Sequence, residues 1–188
     1  MEPRLTVDAI LQRIAAGEPR AFAKLVDLYQ RPLFGFLGRM GMAQAQAEDI
    51  AQETFLRAWT HLPSFDAKRA QFGTWLFTIA RNLAYNAAQS APQQREIHAF
   101  DVAEVACEQL GPVQVMEGKE QGAWLQAALR QLPMADRSAL ALVYVHELGL
   151  AEVARIEGDS VAAIKTRLHR ANIKLRELLQ SNLETDTP

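Results

Sequence analysis

With 188 residues, 49% of them hydrophobic and 22% charged, the chain is long enough to bury real cores, as one domain or as two small ones. A formal net charge of −2 excludes a polycation, no apolar run reaches the ~18 residues of a membrane span, and the charged N-terminus "MEPRLTVDAILQRIAAGEPR" is unlike a signal peptide, so the cytosol is the expected location. The single cysteine, Cys107, excludes an internal disulfide and a zinc ribbon and is read as an incidental thiol.

Helical periodicity dominates, with no alternating strand pattern and no internal repeat. Thr6, with Asp8 in the first turn, caps a short helix over 7–16 that Gly17 ends. A longer helix starts at Pro19 and carries an apolar stripe of Phe22, Leu25, Val26, Tyr29, Leu33, Phe36 and Leu37, with Pro32 as a point of possible kinking. In "AQAEDIAQETFLRAW", Ile50, Ala58 and either Thr54 or Phe55 face a core, while Asp49, Gln52 and Glu53 share a narrow acidic face. "HLPSFDAKRAQF" reads as a loop with two unusually apolar members, Phe65 and Phe72. Helix resumes in "GTWLFTIARNLAYNAAQS", with Trp75, Leu76, Ile79 and Leu83 inward and Arg81, Asn82, Tyr85 and Asn86 pointing elsewhere.

Periodicity fades over 91–118, where Pro92, Pro112, Gly111 and Gly118 interrupt the chain. Residues 91–119 hold two Lys/Arg against five Asp/Glu, so this is read as an acidic, flexible linker. Four helices follow: "EQGAWLQAALRQL", "MADRSALALVYVHELG" ending near Gly149, "LAEVARIEG", and a last one containing "SVAAIKTRLHRANIKLR", which has five cations and no acid.

The last two have the layout of a helix-turn-helix, with Ala154 at the small inner position, a turn over 157–160 containing Gly158, and a cap from Asp159 or Ser160. On the second helix Val161, Ile164, Leu168, Ala171, Leu175 and Leu178 set the buried stripe. Ala162, Lys165, Thr166, His169 and Arg170 then lie opposite it, flanked by Arg167 and Lys174. That is the charge distribution of a duplex-reading helix, although a basic C-terminal helix is also often a solvated or partner-binding face.

These residues carry a likeness. The chain from about 21 to 179 resembles the extracytoplasmic-function (ECF) sigma factors, minimal members of the sigma-70 family: "AEDIAQETFLRAW" resembles region 2.2, "FDAKRAQFGTWLFTIARNLAYNAAQ" regions 2.3 and 2.4, and "LPMADRSALALVYVHELGLAEVARIEGDSVAAIKTRLHRANIKLREL" region 4. The resemblance implies an all-α fold of two small helical domains joined by a flexible linker: region 2 over 1–90, the acidic linker over 91–118, and region 4 over 119–188.

It further implies core RNA polymerase as partner, through the beta prime clamp helices and the beta flap, with Asp49, Gln52, Glu53 and Arg57 as the clamp-docking residues. Without the likeness, that acidic face reads as ordinary solvated surface. Phe65, Asn82 and Asn86 would receive a base flipped from the minus-10 element, stacking and core packing both being open for Phe65, while Trp75 reads as core. Lys165, Thr166, His169 and Arg170 would face the bases of the minus-35 element, with Arg167 and Lys174 on phosphates. Promoter DNA and an anti-sigma factor, often membrane-bound, complete the implied partners; a membrane-bound one would hold the chain at the inner membrane.

Two other readings compete. A dimeric helix-turn-helix regulator would leave the Asp49/Gln52/Glu53 face without a role. An enzyme is not expected: there is no phosphate-binding glycine loop, no HExxH and no nucleophile motif, and His61, His98, His146 and His169 are scattered, so neither a metal, a cofactor nor a small-molecule substrate is foreseen.

Overall fold

A computed structural model describes residues 6–90 and 125–185, with side chains as far as Gln180. The linker and Cys107 lie outside the described residues, as do residues 120–124 at the start of the helix expected in "EQGAWLQAALRQL". Among the described residues every regular element is helical: α1 (Val7–Ala15), α2 (Phe22–Arg39), α3 (Gln44–His61), α4 (Phe72–Ser90), α5 (125–130), α6 (Met134–Tyr144), α7 (Leu150–Glu157) and α8 (Val161–Thr185), with 3₁₀ turns at Pro19–Ala21 and Leu62–Ser64.

Local chemistry sets the boundaries. Thr6 Oγ1 accepts the Ala9 N–H at 3.3 Å to open α1, and Gly17, at φ +94°, closes it. Pro19 sits in the 3₁₀ turn, so α2 begins three residues later than its sequence pattern suggests; it then runs unbroken past Pro32 to Arg39. Ala43 has no side chain able to cap α3, and Gln46 Oε1 instead reaches back to the Ala43 N–H at 3.2 Å.

Two expectations are corrected. The deepest positions of α4 are Phe72, Thr74, Leu76, Phe77, Ala80 and Ala84, whereas Trp75, Ile79 and Leu83 are only half-buried, because α4 is packed by α2 and α3 on one side and by α7 on another. α6 stops at Tyr144, well before Gly149: Glu147 turns the chain with φ 52°, and Gly149, extended, becomes the residue preceding α7.

Two cores result. Ile10, Ala21, Leu25, Ala58, Phe72 and Leu76 close the α1 end. A larger core joins Leu33, Phe36, Leu37, Ile50, Phe77 and Ala80 of the N-terminal half to Leu140, Leu142, Val153, Ile156, Ile164 and Leu168 of the C-terminal half. The two helical halves therefore share one continuous apolar seam.

Candidate nucleic-acid interface

The α7–turn–α8 unit is built around Gly158, whose φ of +67° is left-handed and whose N–H bonds the Ala154 carbonyl. Ser160 Oγ accepts the Ala163 N–H at 3.1 Å and so caps α8. Ile164, Leu168 and Ala171 are buried, Leu175 and Leu178 half-buried, and Val161, expected inside, is 38% exposed at the first position of α8.

Lys165, Thr166, His169, Arg170 and Lys174 are all exposed. Arg167 departs from them. Its guanidinium is drawn back to Glu157 Oε2 at 3.3 Å and Asp159 Oδ2 at 2.8 Å, leaving 20% of the side chain exposed. Thr166 also spends its hydroxyl proton locally, donating to the Ala162 carbonyl at 3.1 Å, and Lys174 lies 3.5 Å from Glu177.

On α3, burial of Ala47, Ile50, Ala51, Thr54 and Ala58 turns Asp49 and Gln52 fully outward, with Glu53 beside them and 2.6 Å from Arg57. Leu56, 57% exposed, stands three and four residues from Glu53 and Gln52 and therefore on the same face. Sequence reasoning passed over it, although its position off the buried stripe was the available signal.

The three residues expected at the minus-10 element stand at separate places on the fold. Phe65 lies 4.9 Å from the Trp75 ring and 5.8 Å from Phe72, half-buried in the smaller core, so one of its faces is already covered. Asn82 and Asn86 are exposed and lie about 10 and 16 Å farther along α4 than Trp75. Beside Phe65 opens a groove of about 960 Å³ floored by Leu11, Ile14, Trp59 and Leu62, half of it supplied by α1, whose part in this surface its sequence pattern did not reveal.

Residues 25–93 match the family model for sigma-70 region 2, and residues 122–175 that for sigma-70 region 4. The ECF RNA polymerase sigma factor SigW of Bacillus subtilis is 31% identical over 90% of this chain and 95% of its own. This chain belongs to the ECF sigma factors of the sigma-70 family. It is an RNA polymerase initiation factor and not an enzyme. CnrH, solved in complex with the cytosolic domain of CnrY, matches 95% of this sigma factor and 97% of that chain, with a TM-score of 0.65 at 24% identity. RpoE of Bartonella quintana, solved with the anti-sigma factor NepR, matches 85% and 96%, with a TM-score of 0.62 at 22% identity. At these identities the likeness establishes the fold.

In this sigma factor, region 2 and region 4 meet through polar as well as apolar groups. Glu157 of α7 is 4% exposed; its Oε1 accepts the Ser138 hydroxyl at 2.5 Å, and its Oε2 faces Arg167 and, at 3.4 Å, Arg81 of α4. Arg81 also donates to the Glu157 carbonyl at 3.1 Å and lies 4.2 Å over the Tyr85 ring. Thr74 Oγ1 donates to Glu152 Oε1 at 3.0 Å, while Glu152 Oε2 accepts the Gly149 N–H at 3.2 Å and opens α7. Burial, and then the Glu157 charge, raise the Tyr85 phenol above its ordinary pKa. Arg81 and Tyr85, read from the sequence only as pointing off the α4 stripe, thus lie at this seam. Among the described residues no helix is long and apolar enough to cross a membrane, and no group of three His, Cys, Asp or Glu is arranged to hold a metal.

Proposed function

We propose that this sigma factor docks on the beta prime clamp helices of core RNA polymerase through Asp49, Gln52, Glu53 and Arg57, and reads the minus-35 element with the exposed face of α8. The observation that carries the reading is that face: Lys165, His169 and Arg170 project together from a capped helix that follows a tight turn, while its stripe of Ile164, Leu168 and Ala171 is buried. Lys165 and Arg170 can each give paired hydrogen bonds to guanine, while Lys174 sits farther along for a phosphate. Arg167 would reach phosphate only after leaving Glu157 and Asp159.

For the minus-10 element, Asn82 and Asn86 offer amide donors and acceptors along exposed α4, and Phe65 borders the groove in which a base could stack. The domain assignment behind this is region 2 over 1–90, a linker over 91–118 and region 4 over 119–188. The beta flap is the proposed partner of region 4, and an anti-sigma factor the proposed inhibitor, as NepR partners RpoE of Bartonella quintana. The site of action is the cytoplasm, or the inner membrane face where the inhibitor is membrane-bound.

The test is co-elution with bacterial core polymerase followed by transcription from a library of promoter fragments. A stable complex initiating at a defined subset is expected. Failure to bind core, together with tight binding to duplex DNA alone, would make the chain a conventional helix-turn-helix regulator of sigma-like fold.

A further inference from the structure

Given the minus-35 reading above, on which this assignment rests, we infer that the leading end of α8 selects thymine in the duplex through methyl groups, with Thr166 setting the preference and Ala162 and Val161 extending its apolar surface. Over 161–168, the first two turns, the outward residues are Val161, Ala162, Lys165 and Thr166. Only Lys165 carries a charge. Val161 is exposed although the helical pattern assigns it to the buried stripe, and Ala162 is exposed beside it. Thr166 donates its hydroxyl proton to the Ala162 carbonyl at 3.1 Å, so what it offers a base edge is a methyl group and an oxygen that can only accept. Ala162 and Thr166, four positions apart, lie one above the other about 6 Å along the axis, with Lys165 to one side of their line and Arg170 to the other.

The chemistry of the major groove determines what such a surface accepts. A helix that enters the groove by its N-terminal end brings these two turns to the base edges. Adenine, guanine and cytosine present only hydrogen-bonding atoms there, and thymine alone adds an apolar group, its C5-methyl. Methyl against methyl removes apolar area from water and leaves no polar group unpaired. An amino group or a ring nitrogen pressed on the same surface loses its water and gains no partner, so the contact that favours thymine also disfavours the other bases. Lys165, next to Thr166 in the chain, supplies donors for a neighbouring guanine, so patch and cation together read base pairs of different kinds.

The test uses holoenzyme formed from the full chain and bacterial core polymerase, on the promoter fragments it selects from a library randomised in the upstream element. Each thymine of the selected element, on either strand, is replaced in turn by deoxyuridine, which lacks only the C5-methyl and keeps the pairing edge. At least one replacement is expected to lower initiation roughly fourfold, the loss of one buried methyl contact. That penalty should vanish in Thr166→Ser, which deletes the side-chain methyl and keeps the hydroxyl, and persist in Thr166→Val, which keeps a methyl and deletes the hydroxyl. A selected element without thymine, or deoxyuridine tolerated at every position, overturns methyl readout and leaves the minus-35 reading standing. A penalty retained in Thr166→Ser, or lost in Thr166→Val, overturns the role of the Thr166 methyl. Initiation that needs no upstream element at all overturns the minus-35 reading and methyl readout with it.

Discussion

His146, in the turn after α6, packs its ring 4.7 Å from that of Phe77 in α4. Phe36 of α2 lies 6.0 Å away, so a single imidazole from region 4 is seated between two aromatic rings of region 2. Burial, and then the nearby Arg39 charge, lower its pKa to about 4. A separated or unfolded chain takes up this proton near the ordinary 6.5, whereas the packed form resists it until about 4. The packed form is therefore most stable above pH 6.5 and loses stability as pH falls from 6.5 toward 4. Calorimetric melts at pH 7 and pH 5 should show the lower value at pH 5, with a smaller drop in His146→Phe; an equal drop would assign the effect to other groups.

Arg170 and Arg167 sit three residues apart and should behave differently. Arg170→Ala is expected to reduce promoter-directed transcription roughly 5- to 150-fold, the loss of a base contact worth about 1–3 kcal/mol, with core binding and melting temperature unchanged. Arg167→Ala removes one of the partners of a buried carboxylate and should lower the melting temperature as well. Transcription assays and thermal melts on the two variants separate the roles.

Reversing charge on α3 tests the docking face. Asp49→Lys/Glu53→Lys should abolish co-elution with core polymerase while leaving the melt nearly unchanged, since Asp49 is exposed and Glu53 loses only a surface pair with Arg57. Retained affinity would remove this face from the interface.

Gly158→Ala isolates backbone strain, because nothing lies within 4 Å of the added methyl and only the φ of +67° opposes it. A loss of about 1–2 kcal/mol is expected, or a fall in melting temperature of about 2–4 °C for each kcal/mol. Gly158→Asn should recover part of it, since asparagine tolerates the left-handed region.

Much of the fold was legible in the chain because its signals are local. The turn at Gly158, the Ser160 cap, the Thr6 cap and the outward set Lys165, Thr166, His169 and Arg170 all follow from neighbours within a few positions, as does the exposure of Asp49 and Gln52 opposite Ile50 and Ala58. Where local signals conflict they mislead: a glycine marks a helix end by type, yet Glu147 makes the turn after α6 and Gly149 is the cap that precedes α7. The α4 stripe was misjudged because a helix packed on more than one side has no single polar face.

By itself, the sequence determined that this is a helical sigma factor with a capped, basic recognition helix, since period, caps and motif order are written in nearby residues. Only the tertiary structure decided what Arg81, Glu157 and Arg167 do. Arg81 and Glu157 are 76 positions apart, and periodicity carries no information about which half-buried cation meets which buried carboxylate once the two regions close on each other. Within each region, too, packing decides what the pattern leaves open: Trp75 covers one face of Phe65, and Glu157 with Asp159 draws Arg167 inward.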